Sequence, residues 1–201
     1  MSCFEAINGR YACKLFDPKW RLSKEQVENI LEYGRLSPSS FGMEPWRFVV
    51  VEDQKHKEAL RQLCWNQPQI TTCSHLVILL ADKAAVQDPE YIEAMFGRRG
   101  LNQEATAAYI ERYKEFLAKQ DISCWVQKQC YIAAANMMTG ASEDGIDSCP
   151  IEGFEKEKLE RYLGLDTSKQ EVALLIAFGR CAKEAPKKRR LPLQKLVVRW
   201  L

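Results

Sequence analysis

Residues able to do chemistry gather in four short clusters that stand far apart in the chain. Arg10 and Lys14 lie beside Phe16-Asp17, and Ser37-Pro38-Ser39-Ser40 is followed by Pro45-Trp46. Pro150-Ile151-Glu152-Gly153-Phe154 is the third and Lys187-Lys188-Arg189-Arg190-Leu191-Pro192 the fourth. Each has an ordinary reading on its own. Arg10 and Lys14 have the spacing of a solvated helix face, Pro-Ser-Ser is most often a turn, and Pro-x-Glu-Gly is a common loop. A basic run is usually a solvated or nucleic-acid-attracting tail. The familiar side-chain chemistries find no constellation here, neither Ser/His/Asp nor Cys/His. The eight cysteines (Cys3, Cys13, Cys64, Cys73, Cys124, Cys130, Cys149 and Cys181) include no C-x-x-C pair. No Cys/His group has zinc-ligand spacing, so no metal site is expected. His75 opens an apolar strand and reads as structural; His56 lies in a charged helix and reads as solvated.

The elements that must position these clusters follow from caps, breakers and periodicity. Ser23 with Gln26 forms a capping box that opens a helix bearing Val27, Ile30 and Leu31 on one face, and Pro38 stops it near Leu36. Phe48 to Val51 suits a short buried strand. Asp53 caps a polar helix to about Leu63, and Leu76 to Ala81 is a second buried strand. Asp88-Pro89-Glu90 is a cap followed by proline at the first helical position. From there to about Lys119 the chain is helical, broken near Gly97 or Gly100. A long helix from about Ser123 to Glu143 is apolar on nearly every side in its second half, as buried or interfacial helices are. Gly145 ends it. Ile146 to Cys149 is a short strand, Glu155 to Leu163 a short helix, and Val172 to Phe178 a further buried strand. The residues after Pro186 have no packed local pattern and read as an arm that needs something else to lie on. Helices and short strands in this order give an α+β or α/β sandwich.

Bulk properties narrow the class. With 201 residues the chain supports one sizeable core, and a single domain over 1–201 is expected. The net charge of +2 does not mark a polyanion binder. No apolar run approaches the ~20 residues of a membrane-spanning helix, and Met1-Ser2-Cys3-Phe4-Glu5 lacks a basic-then-apolar signal pattern. The expectation is therefore a cytoplasmic protein that contacts neither membrane nor nucleic acid, with its cysteines reduced and mostly structural.

Taken together and in order, the clusters resemble the FMN-dependent nitroreductase family, in particular its oxygen-insensitive NAD(P)H nitroreductase and dihydropteridine-reductase-like members. The resemblance runs along almost the whole chain. It starts at Arg10…Lys14-x-Phe16-Asp17 and passes through Leu36-Ser37-Pro38-Ser39-Ser40 and Glu44-Pro45-Trp46-x-Phe48. Asn66 and Lys128-Gln129-x-Tyr131 come next, then Cys149-Pro150-Ile151-Glu152-Gly153-Phe154, its most specific piece, and Arg190-Leu191-Pro192 closes it. The resemblance implies a central mixed sheet flanked by helices, in an intertwined homodimer whose C-terminal arms are exchanged and whose FMN lies at the interface. By position, Arg10, Lys188 and Arg190 would hold the FMN phosphate, for which guanidinium forks are geometrically suited. Lys14 would sit near N1 and O2 of the ring, where a positive charge favours hydride acceptance. Asn66 would bond the pyrimidine edge, with Gln69 beside the ring. Pro38, Ser39 and Ser40 would come from the partner subunit, and Gly42 would also bind the cofactor. Pro150, Ile151, Glu152 and Gly153 would line the face not used for hydride transfer, a backbone N–H of Glu152 or Gly153 pointing at N5. Gly153 suits a close backbone approach.

The chain departs from the commonest family pattern at Ala12 (usually Ser), Gly42 (often Asn), Glu44 (usually Gln) and Gln69 (usually a second ring-contacting Lys). The implied reaction is ping-pong: NADH or NADPH delivers hydride and leaves, and a flat acceptor such as a nitroaromatic or a quinone takes the same place. Phe41, Trp65, Tyr113 and Phe116 are candidates for that slot, against the reading of each as ordinary core. The rivals are a flavin carrier or sensor without turnover, a nucleic-acid module using Lys187 to Arg190, with steeply salt-dependent binding, and a thiol oxidoreductase sensitive to alkylation.

Overall fold

A computed structural model describes residues 2–200. Its centre is a four-stranded sheet in the order β1-β2-β4-β3, formed by β1 (Trp46–Val51), β2 (His75–Asp82), β3 (Asp147–Ile151) and β4 (Gln170–Gly179). Every residue of β2 is buried, which explains why the strand reads as an unbroken apolar run. Alternate residues serve opposite faces. Val77, Leu79 and Ala81 belong to one core, whereas Leu76, Ile78 and Leu80 belong to the other. The expected mixed sheet is antiparallel through all four strands, and the one parallel contact among the described residues is the isolated bridge Ala12–Ser148.

On the first face lies α7 (Ile122–Glu143), whose Cys130, Ala133, Ala134 and Met137 enter the core. Asp121 caps it by accepting from the Cys124 N–H. Against α7 packs α2 (Lys24–Arg35), which begins at the Ser23/Gln26 capping box as expected. Gly140 makes this crossing possible, because a Cβ there would meet the Tyr33 ring at 2.3 Å. The helical stretch after Asp88 is α5 (Pro89–Gly97) and α6 (Gln103–Leu117), broken where expected. The second face carries α3 (Gln54–Leu63), α4 (Gln69–Thr72) and α8 (Lys156–Tyr162), which contribute Leu60, Ile70 and Leu159.

Two local expectations are corrected. First, α1 (Cys3–Gly9) ends before Arg10, its C-cap residue, and Lys14 follows in non-helical chain. The two cations therefore do not share a helix face. Second, the cysteines are not all reduced. Cys13 and Cys181 form a disulfide with a Cα–Cα distance of 5.9 Å, inside the range such a bond requires. The bridge Phe16–Cys181 and the bond from the Ala182 N–H to the Leu15 carbonyl align the two segments. Beyond Cys181 the described part of the arm is almost wholly exposed, with a 3-10 turn at Leu193–Lys195.

Candidate functional site

The end of α1 and the C-terminal arm meet. The Lys188 Nζ donates to the carbonyl of Ile7 and, at 2.8 Å, to that of Arg10, closing the C-terminus of α1 with a cation as the helix dipole favours. Arg10, Lys188 and Arg190 line a cleft of about 330 Å³, together with Ile7, Ala135 and Met138 among others. No carboxylate lines it. Among the described residues none of the three cations has an acidic partner. Burial and then the charge of Arg190 lower the Arg10 pKa. Burial, Arg190 and Arg10, in that order, lower that of Lys188. Like charges crowd a partly desolvated pocket, an arrangement that binding an anion relieves.

The first and third clusters also meet. The Lys14 Nζ lies 3.4 Å from the Cys149 Sγ. Burial pushes the Cys149 thiol up, and Lys14, Arg10 and Gln69 draw it partly back. The fully buried Gln69 donates to the Gln67 Oε1 at 2.8 Å, and Gln67 donates to the Gly153 carbonyl at 2.8 Å. Trp65 and Asn66 both adopt left-handed backbone, with φ of 52° and 55°. Two such residues in succession are strained, a feature that clusters at functional sites. The turn sets the Trp65 ring, 67% exposed, against Gly153, where a Cβ would meet it at 2.6 Å. Within this chain, then, the close approach that requires glycine is that of an indole. Glu152, next to Pro150 and Ile151 at the end of β3, accepts a bond from the Tyr131 hydroxyl at 2.7 Å. The carboxylate and burial both raise the Tyr131 pKa, burial more.

The second cluster stands apart. Pro38 follows Ser37, which bonds the Tyr33 carbonyl and receives the Asn136 amide. Ser39 Oγ accepts from the Glu44 N–H, and the Ser40 N–H donates to the Gln129 Oε1. Phe41, Gly42 and Glu44 are left-handed, with φ of 56°, 64° and 45°. Arg99 pins the turn through the Phe41 carbonyl at 2.7 Å, and Arg98 through the Glu44 Oε1 at 3.0 Å. Among the described residues no hydrogen bond joins this loop to Arg10, Lys14 or residues 150–153. One chain therefore presents two separate half-assemblies on either side of α7.

The aromatic slot candidates divide. Trp65 is exposed, and Phe41 and Phe116 are half-buried with ring centroids 5.0 Å apart. Tyr113 is corrected to core: it is fully buried and its hydroxyl donates to the Val86 carbonyl at 2.7 Å. Sequence reasoning missed Gln67 as the strut under Gly153, and gave Tyr131 no role toward Glu152. Neither contact has a local signal, since the pairs lie far apart in the chain.

The nitroreductase family model matches residues 7–180, which takes in the first three clusters. A Haemophilus influenzae protein named "Putative NAD(P)H nitroreductase" is 39% identical over 98% of this chain and 95% of its own. Among solved structures, a nitroreductase-like protein from Streptococcus mutans superposes with a TM-score of 0.90 at 24% identity, covering 98% of both chains. A "putative nitroreductase in complex with FMN" from Exiguobacterium sibiricum does so with 0.87 at 25% identity, over 100% of this chain and 98% of that one.

Proposed function

The chain belongs to the nitroreductase family, and from that premise we propose that it is an FMN-dependent oxidoreductase, a homodimer of one FMN-binding domain per chain. It takes electrons from NADH or NADPH and passes them to flat, electron-poor acceptors such as nitroaromatics and quinones. The observation that carries this reading is the cleft where Arg10, Lys188 and Arg190 converge with no carboxylate among its lining residues. Three cations without an acidic partner suit a phosphate monoester, whose oxygens guanidinium forks are shaped to hold.

Bound FMN would supply the two-electron hydride chemistry that no side-chain constellation here provides. The chain's own residues bind and orient. Arg10, Lys188 and Arg190 would hold the phosphate. Lys14 would place a positive charge beside the pyrimidine end of the ring, with Gln69 and Asn66 at its edge. The Pro150–Gly153 segment, held by Gln67 and Tyr131, would present backbone N–H groups to the ring. Trp65, Phe41 and Phe116 remain the aromatic surfaces offered to a flat substrate. Nicotinamide and acceptor would use one slot in turn.

The dimer reading rests on surfaces that one chain leaves uncovered. Leu193, Val198 and Trp200 of the arm are 67%, 97% and 87% exposed. α7 exposes Tyr131 and Ile132 on the face away from its core, and β1 is an open sheet edge. Pro38, Ser39, Ser40 and Gly42, remote from the cation cleft of their own chain, would complete the site of a second copy. Visible absorption of the FMN-loaded protein, followed on anaerobic addition of NADPH and then NADH, tests the proposal. Bleaching of the flavin bands by either nucleotide is expected. A protein that stays colourless after incubation with FMN refutes it.

A further inference from the structure

The Cys13–Cys181 disulfide lies between the two segments that build the cation cleft. Cys13 sits between Arg10 and Lys14 in the N-terminal segment. Cys181 sits at the root of the arm that carries Lys188 and Arg190. Between that root and Lys188 the chain has no helix or strand, and its side chains are exposed. Its ties to the body are few: Ala182 N–H to the Leu15 carbonyl at 3.0 Å, the Tyr11 hydroxyl to the Lys183 carbonyl at 2.8 Å, and Lys188 itself. The two cysteines are unequal, because Cys13 is fully buried whereas Cys181 is partly exposed.

We propose that this disulfide is a thiol redox site that governs how firmly the cation cleft holds its anionic ligand. This rests on the FMN reading for the ligand, though not for the motion of the arm. Intact, the bond fixes the root of the arm against the Arg10–Lys14 segment, so that Lys188 and Arg190 stay at high effective concentration beside Arg10. Reduced, only the hydrogen bonds keep the arm in place. The reductant is a dithiol. Its thiolate attacks the sulfur of Cys181, the more exposed residue, a mixed disulfide forms there, and the S–S bond breaks with Cys13 leaving as a thiolate that takes up a proton. The second thiol of the reductant then displaces Cys181, which is protonated in turn. Two electrons and two protons pass to the protein, and the dithiol becomes a disulfide.

The test compares full-length protein oxidised in air with the same protein reduced by dithiothreitol and desalted anaerobically. Titration under denaturing conditions is expected to find six thiols in the oxidised form and eight in the reduced. Reduction should raise the FMN Kd, read from flavin fluorescence, roughly tenfold through lost effective concentration. It should also hasten tryptic cleavage at Lys187 to Arg190, read by mass spectrometry. Cys181→Ser should behave as the reduced form with or without dithiothreitol. Equal cleavage and equal Kd in the two forms, or eight thiols after air oxidation, overturn the proposal. Oxidised protein that binds no FMN but whose arm still loosens on reduction would sink the FMN reading and leave the redox lock standing.

Discussion

Two charged clusters in this molecule are built on opposite principles. The buried Glu171 carboxylate is closed: Ser123, Gln127 at 2.9 Å and Lys156 at 2.6 Å donate to it, and Lys83 lies 3.9 Å away. Burial alone would push its carboxyl up, but those donors outweigh burial and hold it at about 2. Together they pin the start of α7 and the start of α8 to β4. The Arg10–Lys188–Arg190 cleft is open. Its cations repel one another, and among the described residues none of them has an acidic partner. A satisfied charge cluster is architecture, since every group in it already has its partner. An unsatisfied one costs folding energy in the free protein, and a ligand of the missing sign recovers that energy.

The contrast breaks most sharply at Glu171. Glu171→Ala should lower the unfolding free energy by about 3 kcal/mol, because it strands donors gathered around a buried carboxylate. A urea melt with unchanged stability would show that the cluster is ornament. Its pH dependence follows from the depressed carboxyl. The stabilisation is complete above the unfolded value near 4.5 and is lost as pH falls from there toward about 2, so the melting temperature of wild type should drop through that window more steeply than that of the variant.

The open cluster should respond to ligand instead. Arg10→Ala should weaken FMN binding by about thirtyfold, the ~2 kcal/mol of a charge-assisted hydrogen bond, in a fluorescence titration. Unaltered affinity would remove Arg10 from the phosphate site. Inorganic phosphate at ten times its Kd should stabilise the FMN-free wild type by about 1.4 kcal/mol. Scanning calorimetry should detect no such gain in Arg10→Ala. The smallest effect is expected at the exposed Arg98–Glu44 pair. Arg98→Ala should cost about 0.5 kcal/mol or less, as surface ion pairs do, and a larger loss would mean that the left-handed Phe41–Glu44 turn depends on it.

How much of this was legible in the sequence depended on the range of the interaction. Ser23/Gln26, Asp53 and Asp88-Pro89 act within one helical turn, and the helices they open begin where those residues say. The long apolar helix and three of the buried strands are likewise local patterns. α1 also carried a local signal, the Ser2/Glu5 capping box, in residues weighed only as a possible targeting segment. Tyr113 looked like a slot residue because its type suits one; the Val86 carbonyl that claims its hydroxyl lies on another element. The disulfide partners lie 168 residues apart, and no spacing rule joins them. Within the site, the convergence of Arg10 with Lys188 and of Lys14 with Cys149 follows from the pairing of β3 with β4 and the path of the arm, which single clusters do not announce.

The bare edge of β1 has a consequence for how the protein comes to exist. Among the described residues no strand pairs with the outer edge of β1 along Trp46–Val51, and the arm holds Val198 and Trp200 almost fully in water. Open edges and apolar tails are what misassembling chains use to find one another. In the proposed homodimer the hazard and its remedy would be the same encounter between two copies. Maturation of that dimer would be a second-order process: chains made slowly and sparsely would dwell longest in the adhesive state, and those made close together would leave it soonest.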